Sequence, residues 1–281
     1  MTATTAPDPV RDFPAALRPA RTDVRTAART FFFILWRDVF VTGRELGPFL
    51  AQVLVEPFFI LFVFGKVLGE LGYVSGFNQV LLPGVVALNS FLVSLQNTAL
   101  PLVIDFSWTK EIEDRLLAPI PTSLVAVEKL VFGALRGVIA SLVMIPVGFL
   151  VLDDVSWPMD KFAATLGVLL MGALAGSTVG LTIGTLAPPR HISVIFAVTL
   201  TPLMFTGCAQ FPWHGLAGIR WFQVLCTLNP LTYVSEGIRA LLLPPGGPES
   251  IPLWLDLTAL GGAVVIFGLI GIKGFHRRAQ D

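Results

Sequence analysis

The sequence predicts an all-α membrane protein with six transmembrane helices, an N-terminal interfacial helix and re-entrant outer helices between the fifth and sixth spans. Hydrophobic residues make up 54% of the 281 residues and charged residues only 14%, which is outside the usual balance of a soluble domain. About 20 mostly apolar residues are needed to cross the hydrocarbon core of a bilayer. Six windows meet that requirement: residues 47–68, 79–104, 130–152, 162–186, 191–209 and 254–273.

Lysine and arginine are distributed unevenly among the segments outside these spans. With both chain ends in the cytosol, the inner segments hold fourteen of these residues and the outer segments hold three: Lys161, Arg220 and Arg239. Segments rich in lysine and arginine stay on the cytosolic side of the membrane. We therefore expect a multi-pass protein of the plasma (inner) membrane with cytosolic N and C termini.

The chain before the first span divides into two parts. Residues 1–22 are rich in Ala, Thr, Pro and Arg and lack the apolar core of a signal peptide, which predicts a disordered cytosolic tail. In residues 23–46 the apolar runs are too short to span, and four arginines share about a third of the helix circumference: Arg25, Arg29, Arg37 and Arg44. This pattern predicts an amphipathic helix in the inner interface, with a cytosolic extension of the first span as the alternative. Residues 47–281 then form the six-span domain.

Two ionisable residues lie inside predicted spans. Glu56 is near the middle of the first span and precedes Pro57. An ionised carboxylate exposed to lipid is costly, so Glu56 should face protein, face water or carry a proton. It is a candidate contact in a transport pathway, and a neutral, hydrogen-bonded Glu at a helix contact is the alternative. Arg136 in the third span lies close enough to the cytosolic boundary to snorkel.

Four glycines recur at four-residue spacing in the fourth span: Gly172, Gly176, Gly180 and Gly184. A face without side chains lets a neighbouring helix approach closely. We therefore expect this face of the fourth span to pack against another span. The stripe predicts helix packing and carries no information about a substrate.

The only long cytosolic loop between spans covers residues 105–130. Five charged residues suggest a short helix there: Lys110, Glu111, Glu113, Asp114 and Arg115. Leu116 and Leu117 give that helix an apolar edge, and Pro119 and Pro121 end it. Such a helix suits a groove on a soluble partner, and a solvated turn is the alternative.

The outer segment, residues 208–253, is rich in aromatic residues and proline. Aromatic rings with polar edges favour the headgroup level, which predicts short helices dipping into the outer leaflet. Asn229-Pro230 turns the chain into the last of these helices, and Glu236 and Arg239 are three apart on one face, where they can pair. Cys208 and Cys226 also lie here, and both a disulfide and two small buried side chains are open.

Several signatures of chemistry are absent from the sequence. There is no phosphate-cradling glycine loop followed by Lys and Ser or Thr, and no serine has the surroundings of a nucleophile elbow. The three histidines are isolated, so no paired-histidine metal site is expected. The chain is therefore predicted to be a transport protein that is not itself an enzyme and binds no cofactor. Its energy would come from a partner subunit or from an ion gradient.

The order of these parts resembles the membrane subunit of type-2 ATP-binding-cassette exporters, most closely the branch that exports drugs and other amphiphiles. The resemblance covers residues 22–278. Its two most specific stretches are "EIEDRLLAPIPTSLVAVEKLV" at 111–131 and "NPLTYVSEGIRALL" at 229–242.

The resemblance implies that the loop after the second span forms a coupling helix that docks on a separate ATP-binding subunit, which would hold ATP and Mg. The family pattern has an acid, two leucines, a proline and a later lysine, and the lysine corresponds to Lys129. The residues assigned to the coupling helix are Glu111, Glu113, Asp114, Arg115, Leu116, Leu117 and Pro119. Two positions depart from the pattern, since Glu111-Ile112 replaces Gly-Thr and Glu128 replaces a Gly.

The resemblance also implies a permease dimer, in which each chain closes the outer side of the pathway with re-entrant helices. Residues assigned to those helices are Asn229, Pro230, Thr232, Tyr233, Glu236 and Arg239. The implied function is efflux of an amphiphilic small molecule, drug or lipid, as in multidrug resistance. Export of lipid-linked polysaccharide by the same architecture and an ion-coupled carrier without an ATPase are the alternatives.

Overall fold

The computed structural model describes residues 24–44, 46–71, 77–107, 121–153, 155–244 and 249–279. Every secondary-structure element in these ranges is a helix, which confirms the predicted all-α class. The predicted N-terminal tail lies outside the described residues. Within the described ranges, five helices are long and apolar enough to cross a membrane.

Helix α1 covers Val24–Arg44, close to the predicted range of 23–46. Its arginines at 25, 29, 37 and 44 are exposed, and so are several of its aromatic rings. Two of those arginines lie over aromatic rings of the same helix: Arg29 is 5.5 Å from the Phe33 centroid and Arg44 is 5.9 Å from the Phe40 centroid. The helix is as the sequence indicated, and its interfacial position stays a prediction.

Five predicted spans correspond to long helices. They are α2 (Leu46–Glu70), α3 (Phe77–Ser107), α4 (Thr122–Val151), α5 (Phe162–Leu186) and α9 (Leu253–Arg278). Helix α2 contains Pro57 and changes to π-helical hydrogen bonding over Leu61–Val67. Helix α4 begins eight residues before the predicted span because its polar first turns are also helical, directly after the extended Pro121.

The fifth predicted span, 191–209, forms a shorter helix, α6 (Ile192–Thr206), of 15 residues. A helix of that length rises about 22 Å, which is less than the hydrocarbon core of about 30 Å. A 3₁₀ turn at Pro189–His191 precedes it, and a turn through Gly207 and Cys208 follows, with Cys208 in the left-handed region at φ 50°. The count of six spans therefore stays a prediction.

Helix α3 is the centre of the bundle, because 89% of its apolar window is buried, against 22% for α2 and for α9. It packs against α4 and α5 along its length. Its polar residues face the bundle rather than the lipid, where unpaired polar groups are costly. The Asn89 amide donates to the Ala140 carbonyl (3.0 Å), and the Ser90 hydroxyl donates to the Leu169 carbonyl (3.0 Å).

Three glycines of the stripe on α5, at 176, 180 and 184, face α3, whereas Gly172 faces the Val234 side chain of the outer segment. A Cβ at Gly176 would overlap the Phe91 carbonyl oxygen, and a Cβ at Gly180 would overlap the Leu95 carbonyl oxygen. Both obstacles are backbone atoms, so a side chain at either position requires the two helices to move apart. The predicted close packing on this face is confirmed.

The outer segment folds into short helices after α6. A 3₁₀ helix covers Trp213–Gly218, followed by α7 (Arg220–Thr227) and α8 (Pro230–Leu242). Helix α8 packs against α3, α5 and α9. Whether these helices enter the membrane stays a prediction.

Candidate functional site

Three regions carry the residues that the sequence analysis selected: the inner loop, the outer segment and a cleft beside Glu56. The inner-loop residues fall in 108–120, which lies outside the described residues. They are Glu111, Glu113, Asp114, Arg115, Leu116, Leu117 and Pro119. Their assignment to a coupling helix therefore stays a prediction, although the two helices that flank them are described.

The outer helix α8 begins where the Asn-Pro signal predicts. The Asn229 side-chain oxygen accepts a hydrogen bond from the Leu231 amide (2.9 Å), and Pro230 occupies the first helical position. The Asn229 amide nitrogen donates to the Leu203 carbonyl (2.7 Å) and lies 2.9 Å from the Thr206 hydroxyl. The same side chain therefore caps α8 and attaches it to the end of α6.

The next two residues of the motif bind neighbouring backbone. The Thr232 hydroxyl lies 2.7 Å from the Cys226 carbonyl and 3.1 Å from the Thr206 carbonyl. The Tyr233 hydroxyl donates to the Thr227 carbonyl (2.7 Å). Burial raises the pKa of Tyr233, and the nearby charge of Asp256 acts in the same direction, so the phenol stays a hydrogen-bond donor.

Glu236 and Arg239 form the predicted ion pair, with 2.8 Å between Arg239 Nη1 and Glu236 Oε1. Both side chains are fully buried, which the spacing of the two residues did not indicate. Arg239 also donates from Nε to the Val80 carbonyl (3.1 Å) and from Nη2 to the Ala209 carbonyl (2.7 Å). Glu236 Oε1 accepts from the Trp213 backbone amide (3.0 Å). The pair thus joins α8, α3 and the segment from Ala209 to Trp213 that follows the turn after α6.

Asp256 is a buried acid that the sequence analysis missed. It lies in the first turn of α9 with no exposed surface. Its side chain lies next to Gly237 on α8. Within the described residues, neither Asp256 carboxyl oxygen has a hydrogen-bond partner, and Glu236 Oε2 has none either. Arg239 therefore compensates Glu236, whereas Asp256 has no donor in the described structure. The sequence signal that could have identified Asp256 is the presence of an acidic residue near the start of the predicted span 254–273.

Cys208 and Cys226 are both buried and both free. The arrangement favours two small buried side chains over the disulfide that the sequence left open. Across the described ranges, no group of three or more His, Cys, Asp or Glu side chains is placed to hold a metal ion.

Glu56 borders a cleft of about 210 Å³ between α2, α3 and α6. Three polar side chains line the cleft: Glu56, Gln96 and Thr201. The remaining lining residues are apolar: Leu92, Phe196, Ala197, Leu200 and Met204. A smaller space of about 30 Å³ next to it is bordered by Gln52, Glu56 and Asn89, among others. The Glu56 side chain is exposed to the cleft, and none of the described residues forms a hydrogen bond or ion pair with it.

Arg136 contacts side chains inside the bundle, whereas its snorkelling towards the cytosolic boundary stays a prediction. Its guanidinium lies between two rings, 4.9 Å from the Phe49 centroid and 5.1 Å from the Phe132 centroid. Its Nη1 donates to the Asn97 side-chain oxygen (2.7 Å). Cation–π contacts and this hydrogen bond are available only inside the bundle, so Arg136 joins α2, α3 and α4.

At the predicted cytosolic end, Lys129 lies between two buried acids. Its Nζ is 3.3 Å from Asp105 Oδ2 and 3.6 Å from Asp38 Oδ2. The three residues come from α4, α3 and α1 respectively. Because the three residues are far apart in the chain, no local pattern predicts that they meet, and only the family resemblance points to Lys129.

Comparison with known proteins identifies the family. Residues 29–243 match the ABC-2 type transporter membrane domain. The chain belongs to the ABC-2 type transporter family. This ABC-2 chain is 26% identical over 241 residues to the inner membrane transport permease YadH of Escherichia coli K12, covering 82% of this chain and 91% of YadH. It is 27% identical over 223 residues to ycf38 of Cyanophora paradoxa, also named a transport permease, covering 74% of this chain and 73% of ycf38.

These matches confirm the predicted resemblance to type-2 permeases. An ABC-2 permease is an integral membrane protein that carries the transport pathway, in agreement with the five long apolar helices. The matched region includes the N-terminal helix from residue 29, the cleft beside Glu56 and the outer segment through α8. It also includes residues 108–120, so the inner loop is part of the family domain.

Proposed function

We propose that this ABC-2 permease exports an amphiphilic small molecule, drug or lipid from the cytoplasm, driven by ATP hydrolysis on a separate subunit. The observation that carries the proposal is the match of residues 29–243 to the ABC-2 membrane domain. The sequence has no phosphate-binding loop of its own, so ATP and Mg belong on a partner. The excess of lysine and arginine on one side supports cytosolic termini.

The cleft beside Glu56 supports an amphiphilic cargo. Apolar side chains such as Leu92 and Met204 supply most of its wall, and Glu56, Gln96 and Thr201 supply a small number of polar groups. Pockets of this composition bind the apolar body of a ligand and orient its polar end. A carboxylate as the charged group favours a cargo with a positive charge or hydrogen-bond donors at that end.

A second permease chain is the proposed neighbour of this cleft. The α6 side chains Val194, Val198 and Phe205 and the α2 side chains Phe58 and Phe59 are all exposed in the single chain. Both helices also line the cleft, so a second copy packed against their exposed faces would complete the pathway from the open side. The symmetry of most membrane and soluble oligomers makes a two-fold dimer the simplest arrangement.

The inner loop provides the decisive test. We expect Asp114→Lys and Leu116→Asp to leave the permease folded in the membrane but to abolish most substrate-stimulated ATP hydrolysis. Asp114→Lys removes the acid and Leu116→Asp removes the apolar edge that a groove on the partner subunit would bind. The measurement is copurification of the ATPase subunit from membranes, together with ATP hydrolysis in proteoliposomes.

The matched controls are Asp160→Lys and Leu228→Asp, which alter exposed residues at the other end of the bundle. They should behave like the unmodified chain. Unchanged stimulation in Asp114→Lys and Leu116→Asp would remove the coupling assignment. Movement of cargo by the purified chain without nucleotide or companion subunit would instead support the ion-coupled carrier.

Glu56→Gln tests the cleft. We expect this variant to reach normal abundance while the cargo concentration for half-maximal ATPase stimulation changes about tenfold, on the order of 1.4 kcal/mol of binding free energy. Glu70→Gln, at the exposed end of the same helix, is the control. If Glu56→Gln and Glu56→Ala both prevent accumulation of the protein, Glu56 has a structural role instead.

A further inference from the structure

We propose that Lys129 is a positioning residue that holds helix α1 against the two helices flanking the inner loop. Its ammonium group connects Asp38 on α1 with Asp105 on α3, while Lys129 itself lies on α4. Under the proposed function, a force applied at the loop would then move three helices together. The inference rests on that function for its coupling role, whereas the ionic tie itself does not depend on it.

The tie is buried rather than a surface ion pair. Lys129 is 7% exposed, Asp105 is 8% exposed and Asp38 is 9% exposed. Exposed ion pairs contribute little, but removing one partner of a buried group leaves an uncompensated charge. Lys129 faces two acids, so its loss would leave two like charges near each other. Arg37, 3.3 Å from Asp38, has a mostly exposed side chain and would compensate only that acid.

Helix α1 has few other attachments to the bundle. Among its described side chains only Ala27 and Asp38 are buried, whereas Phe32, Phe33 and Trp36 are more than 60% exposed. Ala27 and Ile34 join a small apolar cluster with residues of α3, α4, α5 and α9. Because α1 buries so little apolar area, the buried ionic contact with Lys129 contributes a large part of its attachment among the described contacts.

The tie is also close to the loop along the chain. Asp105 is two residues before the end of α3 at Ser107, and Lys129 is seven residues after the start of α4 at Thr122. Energetic coupling between sites is carried by contiguous ionic and packed contacts. The ends of both flanking helices are therefore connected to α1 by the Lys129 side chain. If Lys129, Asp38 and Asp105 only stabilised the fold, apolar residues of similar volume could replace them. To hold α1, α3 and α4 together through one side chain, Lys129 needs its positive charge.

A distance measurement tests the tie without any partner. Spin labels are placed on exposed positions of α1 and α4 by Trp36→Cys and Leu135→Cys in the full chain in lipid nanodiscs. We expect a narrow distance distribution that Lys129→Met broadens and shifts and that Lys129→Arg retains. The control is Lys66→Met, because Lys66 pairs with Asp153 and Glu70 at the opposite end of the bundle. An unchanged distribution in Lys129→Met overturns the tie.

A transport measurement tests the coupling role. The permease and its ATPase subunit are reconstituted in proteoliposomes with rhodamine 6G, a fluorescent cationic amphiphile, as the probe. We expect Lys129→Met to lower dye moved per ATP hydrolysed by about fivefold or more, with recovery in Lys129→Arg and no change in Lys66→Met. If Lys129→Met fails to accumulate, the triple variant Asp38→Asn, Asp105→Asn, Lys129→Met removes both carboxylate charges together with the ammonium group and should restore folding without restoring coupling.

The outcomes separate the two proposals. A triple variant that couples as well as the unmodified chain overturns the positioning role. A chain that copurifies with no ATPase and shows no nucleotide-dependent transport overturns the proposed function. In that case the spin-label distances still decide whether Lys129 holds α1.

Discussion

Arg239→Met is expected to destabilise the folded permease by about 3–5 kcal/mol, because it leaves Glu236 as a buried charge without its partner. The substitution also removes the donors to the Val80 and Ala209 carbonyls, which lie on α3 and after α6. Thermal unfolding of the purified protein in detergent, followed by tryptophan fluorescence, measures the loss. The expected result is a large decrease in the unfolding temperature.

Two further variants give this prediction its controls. Arg220→Met changes an exposed arginine on α7 and should leave the unfolding temperature nearly unchanged. The double variant Glu236→Gln, Arg239→Met removes both charges and should recover part of the stability, with the two carbonyls still lacking their donor. Equal unfolding temperatures for Arg239→Met and Arg220→Met would contradict the structural role of the pair.

Gly176→Ala is expected to destabilise the protein by about 1–3 kcal/mol, because the added methyl group overlaps the Phe91 backbone and forces α5 away from α3. Gly176→Leu should prevent accumulation in the membrane, since a larger side chain cannot be accommodated by shifting another side chain. Membrane abundance and the unfolding temperature are the measurements.

Gly167 on the same helix is the matched control. A Cβ at Gly167 meets no atom within 4 Å, so Gly167→Ala should be neutral or slightly stabilising through the helix propensity of alanine. A similar loss of stability in Gly167→Ala and Gly176→Ala would show that glycine itself, rather than the close approach to α3, is what the helix needs.

Properties that depend on local sequence could be predicted. Five spans follow from apolar runs, because the thickness of the bilayer selects the length of such a run. The start of α8 follows from Asn229-Pro230, since capping involves neighbouring residues. The pairing of Glu236 with Arg239 follows from their spacing on one helix.

Properties that depend on distant residues could not be predicted. The burial of Arg239 comes from contacts with Val80 and Ala209, which lie far away in the chain. The tie at Lys129 needs Asp38 and Asp105, and Arg136 needs the Phe49 ring, so neither follows from a local pattern. Helix α6 ends early because the chain turns through Gly207 and Cys208, although the residues up to 209 are apolar enough to continue.

The Asn229 amide has a mechanical consequence. It fastens the end of α6, a wall of the cleft, to the first turn of α8, and Thr232 adds a second fastening at the Thr206 carbonyl. Under the proposed function, a cargo that pushes α6 sideways would therefore also pull on α8. Binding of cargo in the cleft and displacement of α8 would then be mechanically coupled through these hydrogen bonds.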